Sequence, residues 1–92
     1  MSKLILITGA TSGFGEASAH LFAENGWNII ITGRRNDRLE KLETDLKSTY
    51  SVEVLNLCFD VRKLKEVQDA INTLSGEWKN IDVLLNNAGL AA

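Results

Sequence analysis

A glycine-rich segment at residues 7–17, ITGATSGFGEA, has the residue types and the spacing to bind a phosphate group. It follows a short apolar run and precedes a helical pattern, which is the context that a phosphate-binding turn requires. Gly9 can turn the chain sharply out of a strand. Gly13 leaves the backbone open to a pyrophosphate, and Gly15 allows the following helix to pack close to the sheet.

The start of the helix after this turn predicts an anion site. Backbone N–H groups at a helix start have no intrahelical acceptor, and the helix dipole adds a partial positive charge there. We expect the hydroxyl groups of Thr11 and Ser12 to add two further donors. The alternative is a tight strand–helix connection without a ligand. An ATP-type phosphate loop is disfavoured, because the segment lacks Gly-Lys-Ser/Thr.

Regular elements must position this turn, and the chain alternates two kinds of segment. Short segments with apolar cores rich in Ile, Leu and Val lie at residues 3–8, 28–32, 52–57 and 82–86. Two of them are continuous apolar runs, which is typical of parallel strands buried on both faces. Longer helical patterns separate them. The series predicts βαβ units, and therefore an α/β fold with a parallel sheet and right-handed crossovers.

Each predicted helix has apolar residues at helical spacing, which indicates one buried stripe per helix. Gly26 and Gly76 are expected to end the first and third helices, and Asn36 or Asp37 to cap the start of the second. The predicted stripes are Phe14, Ala17, Leu21 and Phe22 in the first helix, Leu39, Leu42 and Leu46 in the second, and Leu64, Val67, Ile71 and Leu74 in the third.

Length, charge and cysteine content exclude several classes of protein. Ninety-two residues are enough for one small domain and no more, and a formal net charge of −2 gives no reason to expect a nucleic-acid or anionic-membrane partner. No segment approaches the roughly 18 apolar residues of a membrane span. Cys58 is the single cysteine and cannot form an intramolecular disulfide, so we expect a cytoplasmic location. No metal site is expected.

Three motifs are similar to those of the short-chain dehydrogenase/reductase family. Residues 8–15 read Thr-Gly-x-x-x-Gly-x-Gly, residues 86–89 read Asn-Asn-Ala-Gly after the fourth strand, and Asp60 and Val61 follow the third strand. The resemblance covers nearly the whole sequence. It implies a doubly wound, Rossmann-type parallel sheet, of which residues 1–92 are the N-terminal part of a single NADP-binding domain, with about four strands and three helices.

The end of the second predicted strand indicates which nicotinamide cofactor to expect. Dinucleotide-binding folds that use NAD have an acidic residue near this point, which binds the ribose 2′-hydroxyl. Here Gly33, Arg34 and Arg35 follow the strand instead. A guanidinium group offers a rigid fork of donors to a 2′-phosphate, and the missing acid removes a repulsion. The two arginines therefore predict NADP as the cofactor, with NAD as the alternative. If no ligand binds here, the alternative is that the arginines are a solvated basic helix start.

The resemblance also implies roles for residues after the third and fourth strands. Asp60 would accept a hydrogen bond from the adenine amino group and Val61 would touch the adenine ring, although Asp60 as the N-cap of the third helix remains an alternative. Asn87 would lie against the cofactor ribose, and Asn86 would tie strands together. Phe14 would contribute backbone near the nicotinamide while its ring packs. Ala88 and Gly89 would be small so that the cofactor can pass close by.

The activity implied by the resemblance is hydride transfer between the nicotinamide and the alcohol or carbonyl of a small substrate. The stretches TGRRNDRLEKL and EWKNIDVLLNNAGLA are similar to the NADP-dependent 3-hydroxy acid (serine-type) dehydrogenase branch, and homotetramers are usual in the family. The family's catalytic serine and Tyr-x-x-x-Lys motif have no match here, since Val54 stands four residues after Tyr50. We therefore expect no catalytic residue in this sequence and no turnover by these 92 residues alone.

The fourth predicted strand bears on how much of the protein the sequence represents. In the usual doubly wound order it lies beside the first strand, with an apolar edge left open. This predicts that the sequence is the N-terminal part of a longer oxidoreductase. The alternative is a stand-alone nucleotide-binding or regulatory module without turnover.

Overall fold

Four parallel strands form one sheet in the computed structural model, which describes residues 3–87. The strands are β1 (Leu4–Thr8), β2 (Asn28–Gly33), β3 (Val54–Cys58) and β4 (Val83–Asn86). Their spatial order is β3-β2-β1-β4, and each neighbouring pair is parallel. The predicted Rossmann-type α/β fold is confirmed, with β4 beside β1 as expected. β2 and β3 lie on one side of β1, whereas β4 lies on the other side. Ligands of such sheets bind at the carboxyl ends of the strands where the strand order changes side in this way.

Segments pack on both faces of this sheet. The connections contain α1 (Gly13–Glu24), α2 (Asn36–Thr49), α3 (Leu64–Asn72) and a 3₁₀ turn (Gly76–Lys79). Successive strand residues face opposite sides, because the side-chain period of a strand is two. One face packs against α1 and α2 and contains Ile5, Ile7, Ile29 and Ile31. The other packs against the segment after α3 and contains Leu4, Leu6 and Ile30, with Leu74 upon them.

The predicted buried stripe of α1 is wrong. The residues of this helix that are buried are the small ones, Gly15, Ala19 and Ala23. Phe14 and Leu21 are 76% and 57% exposed, and of the predicted stripe only Phe22 packs against the core. Small residues at a spacing of four let the helix approach the sheet closely, and the larger side chains on neighbouring positions then point away from it. Gly26, with φ of +82°, follows the helix end as predicted.

The second helix agrees with its predicted stripe but not with its predicted cap. Leu39, Leu42 and Leu46 are all buried. The N-cap is Arg35, whose side chain makes no capping hydrogen bond, rather than Asn36 or Asp37. The Asn36 amide instead donates to Glu40 Oε1 at 3.1 Å, one helical turn ahead.

The third helix is shorter and more exposed than predicted. It ends at Asn72, and none of its residues is buried. Leu64 and Ile71 are 70% and 39% exposed. Leu74, expected on the helix, lies beyond its end and packs on the sheet, and Gly76 adopts φ of +60° at the start of the 3₁₀ turn. None of the helices within residues 3–87 has the length and apolar character to cross a bilayer.

Candidate functional site

The carboxyl ends of the four strands bring the predicted motifs to one edge of the sheet. The glycine turn follows β1, the arginine pair follows β2, Asp60 follows β3 and Asn87 follows β4. Because the strands are parallel and adjacent, these four segments are neighbours there. Ala88 and Gly89 lie outside the described residues.

The three glycines of the turn differ in what surrounds them. Gly9 has φ of +61°, so the sharp turn out of β1 uses a conformation that favours glycine. A Cβ at Gly15 would lie 2.7 Å from Ala10 Cα and clash with the Gly9 carbonyl, so α1 can start this close to the turn only with glycine there. A Cβ at Gly13 would meet no atom within 4 Å. The helix start is therefore open at Gly13, where a ligand can reach the backbone.

Backbone donors at this opening are free. Ser12 is the N-cap of α1, and its hydroxyl and carbonyl oxygens accept from Gly15 N at 3.2 Å and Glu16 N at 2.8 Å. Within residues 3–87, the N–H groups of Gly13 and Phe14 have no hydrogen-bond acceptor. Two free donors beside an open glycine at a helix N-terminus are suited to the oxygens of a pyrophosphate. The Phe14 side chain does not pack as expected, since it is mostly exposed.

The Ser12 hydroxyl is not a free donor, in contrast to the sequence-based expectation. It donates to the Gly9 carbonyl oxygen at 2.8 Å and accepts from Asn87 Nδ2 at 2.8 Å. The same Asn87 nitrogen donates to Gly9 O at 3.2 Å. Thr11 is half-buried, and within residues 3–87 its hydroxyl makes no hydrogen bond, so its role as a donor to a ligand stays a prediction.

Asn87 is a structural link that sequence reasoning missed. Its side chain joins β4 to the glycine turn, and its backbone N–H donates to Thr8 Oγ1 at 2.9 Å. The residue is only 5% exposed. The Thr8 hydroxyl donates to Asn86 Oδ1 at 2.9 Å, which agrees with the prediction that Asn86 ties strands together. The sequence holds one signal for this link. The Asn-Asn pair and the glycine turn follow two strands that are predicted to be parallel and adjacent, so their ends are expected to be close together.

Replacing Asn87 with alanine should lower the free energy of unfolding by about 1–3 kcal/mol, because the Ser12 hydroxyl and the Gly9 carbonyl each lose a partially buried partner. Urea unfolding followed by circular dichroism measures this. The control is Asn36→Ala, which removes one exposed hydrogen bond and should change stability by at most about 0.5 kcal/mol. Equal effects of the two substitutions would contradict the assigned role of Asn87.

Arg34 and Arg35 follow the end of β2, and the charge of Arg34 helps to lower the pKa of Asp60. Both are exposed, and neither guanidinium makes a hydrogen bond or an ion pair with another part of residues 3–87. A Cβ at the preceding Gly33 would lie 3.5 Å from Thr11 Oγ1, so the arginine pair begins beside the glycine turn. The two arginines thus follow a residue that lies beside Thr11, and the free backbone N–H groups belong to the same glycine turn as Thr11. This combination of cations and backbone donors fits a phosphorylated dinucleotide.

Asp60 lies at the end of β3 and is held by a neighbouring cation. The N-cap of α3 is Lys63, so the alternative of Asp60 as that cap is wrong. Hydrogen bonds from the Arg62 side chain, joined by one from its backbone N–H, lower the pKa of Asp60 to about 2. The carboxylate is therefore ionised at neutral pH. Val61, beside it, is 37% exposed. In the described part of the chain, no group of three or more His, Cys, Asp or Glu side chains is placed to bind a metal ion.

Comparison with known proteins decides the family. Residues 3–92 match the short chain dehydrogenase family. The chain belongs to this family. It is 48% identical over 91 residues to sulfoacetaldehyde reductase 2 of Chromohalobacter salexigens, covering 99% of this chain and 35% of that protein. It is 46% identical over 88 residues to the NADP-dependent 3-hydroxy acid dehydrogenase YdfG of Salmonella typhi, covering 96% of this chain and 34% of that protein.

Solved structures of this short-chain dehydrogenase family share the fold. L-sorbose reductase from Gluconobacter frateurii, complexed with NADPH and L-sorbose, superposes with a TM-score of 0.89 at 35% identity, over 96% of this chain and 34% of that one. Serine dehydrogenase from Escherichia coli gives a TM-score of 0.79 at 36% identity, over 88% of this chain and 35% of that one. The chain thus spans about a third of the length of the relatives that it matches.

Proposed function

We propose that this chain forms the NADP-binding part of a short-chain dehydrogenase/reductase that transfers hydride between the nicotinamide and the alcohol or carbonyl of a small substrate. The observation that carries the proposal is that the exposed pair Arg34 and Arg35 and the glycine turn with its free N–H groups follow adjacent strands, with Gly33 beside Thr11. That combination provides donors for both a pyrophosphate and a 2′-phosphate. The names of relatives such as the NADP-dependent 3-hydroxy acid dehydrogenase support it.

The residues at this edge of the sheet bind different parts of the cofactor in this proposal. Gly9 and Gly15 shape the turn, Gly13 and Phe14 bind the pyrophosphate through their backbone, and Thr11 adds a hydroxyl donor. The arginine pair binds the 2′-phosphate. Asp60 and Val61 bind the adenine. Asn87 lies against the ribose while it holds Ser12 in place. The bound NADPH or NADP⁺ supplies or takes the hydride.

The proposed substrate is a small 3-hydroxy acid or the corresponding carbonyl compound. The support comes from relatives at about this level of similarity, including serine 3-dehydrogenase of Rhizobium radiobacter, 46% identical over 91 residues. The family's tyrosine, lysine and serine would provide the acid–base chemistry. They have no match within the 92 residues of this sequence. The activity is therefore proposed for a protein of the length of these relatives.

Turnover by the natural gene product tests this proposal. Purified from its source, it should reduce NADP⁺ in the presence of a 3-hydroxy acid such as L-serine, whereas the 92-residue chain alone should bind NADPH without turnover. An intact mass of about 10 kDa for the natural product, with NADPH binding and no activity, would instead support a stand-alone nucleotide-binding module. We also propose a cytoplasmic location and a homotetramer, and light scattering on the purified natural product tests the assembly.

A further inference from the structure

The end of β3 carries a fork-like ion pair that the proposed function does not itself require. Arg62 donates to Asp60 three times: its backbone N–H and Nε to Oδ1 at 3.0 and 3.1 Å, and Nη2 to Oδ2 at 2.9 Å. The Asp60 side chain is 14% exposed and that of Arg62 is 72% exposed. The carboxylate is thus recessed, and the guanidinium lies outside it.

The ion pair with Arg62 restricts the hydrogen bonds that the Asp60 carboxylate can make to a ligand. A carboxylate has about four acceptor positions, two on each oxygen. Arg62 occupies both positions on Oδ1 and one on Oδ2. The backbone of the same turn is also fixed, because Asp60 N donates to Glu66 Oε1 at 3.1 Å and Lys63 N donates to the Asp60 carbonyl at 2.9 Å. One acceptor position on Oδ2 remains for a ligand donor.

We propose that Arg62 is a positioning residue that makes the Asp60 subsite selective for a base with an exocyclic amino group over one with a carbonyl at the same position. An amino group can donate to the remaining acceptor position on Asp60 Oδ2. A carbonyl oxygen at the same place is repelled by Oδ2, because the hydrogen bonds from Arg62 keep the carboxylate from rotating away. This inference rests on the proposed function, because it assumes that the adenine of NADP lies at Asp60. The low pKa of Asp60, about 2, agrees with a carboxylate that stays an acceptor at neutral pH.

The test compares NADPH with its reduced hypoxanthine analogue, which has a carbonyl in place of the adenine amino group. Calorimetric titration of the purified natural gene product should give a Kd ratio of about tenfold in favour of NADPH. Arg62→Ala should reduce the ratio to about twofold, because the carboxylate can then rotate. Arg62→Lys, which keeps the charge but only part of the fork, should restore an intermediate ratio.

A neighbouring cation provides the control. Lys65 is exposed and its side chain pairs with Asp69 at 3.4 Å rather than with Asp60 or Glu66, so Lys65→Ala should keep the tenfold ratio. An Arg62→Ala variant that keeps the wild-type Kd ratio, whether or not it weakens binding of both ligands, would overturn the inference and leave the proposed function intact. A wild-type chain that binds neither cofactor would overturn both.

Discussion

Replacing Arg34 and Arg35 together by alanine is expected to weaken NADPH binding by about 2–3 kcal/mol and to leave NADH binding almost unchanged. The 2′-phosphate is the only group that distinguishes the two cofactors, and the arginine pair is the proposed source of its charge-assisted hydrogen bonds. Within residues 3–87 the two guanidinium groups have no other hydrogen-bond or ion-pair partner. Their loss should therefore cost little stability.

Calorimetric titration of both cofactors into the wild type and the variant measures this effect. The control is the double variant Lys65→Ala/Lys79→Ala. It also removes two positive charges, but from exposed positions on α3 and the 3₁₀ turn. It should lower NADPH affinity by less than about 0.5 kcal/mol at physiological salt, because distant exposed charges are screened. Equal losses of NADPH and NADH affinity in the arginine variant would contradict the assignment of the pair to the 2′-phosphate.

Alanine at Gly15 is expected to destabilise the chain by about 3 kcal/mol or more. The added methyl group would clash with the Gly9 carbonyl and lie 2.7 Å from Ala10 Cα. Both neighbours are backbone atoms, so relief requires α1 to move away from the turn. Such overpacking usually costs about 1–3 kcal/mol even where side chains can give way. Urea unfolding measures the change.

Gly13→Ala is the matched variant, two positions earlier in the same helix. A Cβ there meets no atom within 4 Å, so stability should stay the same or rise by up to about 1 kcal/mol through helix propensity. NADPH binding should fall at least about tenfold, because the methyl group occupies the space proposed for the pyrophosphate. Similar unfolding free energies for Gly13→Ala and Gly15→Ala would contradict the distinct roles assigned to these glycines.

The sheet could be predicted from the sequence for two reasons. Its strands have a strong local apolar pattern, and βαβ units connect two of the neighbouring pairs, β1 with β2 and β2 with β3. The runs around Ile5 and Ile30 are buried on both faces, as continuous apolar segments in a parallel sheet require. The βαβ rule then fixes the direction of neighbouring strands. The glycine turn was predictable for a similar reason, since the conformation at Gly9 and the close approach at Gly15 each require glycine.

Helix faces were less predictable, because the distance between a helix and the sheet outweighs side-chain hydrophobicity. Ala19 and Ala23 are buried in α1, whereas Phe14 and Leu21 are exposed. A periodicity argument ranks the larger residues first and so selects the wrong face. At the site, the Asn87–Ser12 hydrogen bond joins residues 75 positions apart and depends on the rotamers of both side chains. No local pattern encodes such a contact.

Direct titration of the wild-type chain with NADPH and with NADH tests the central claim, that this sheet edge is an NADP site. We predict saturable binding of NADPH, at least about 30-fold tighter than that of NADH, which corresponds to the 2 kcal/mol or more assigned to the 2′-phosphate. Equal affinity for the two cofactors, or no binding of either, would contradict the account.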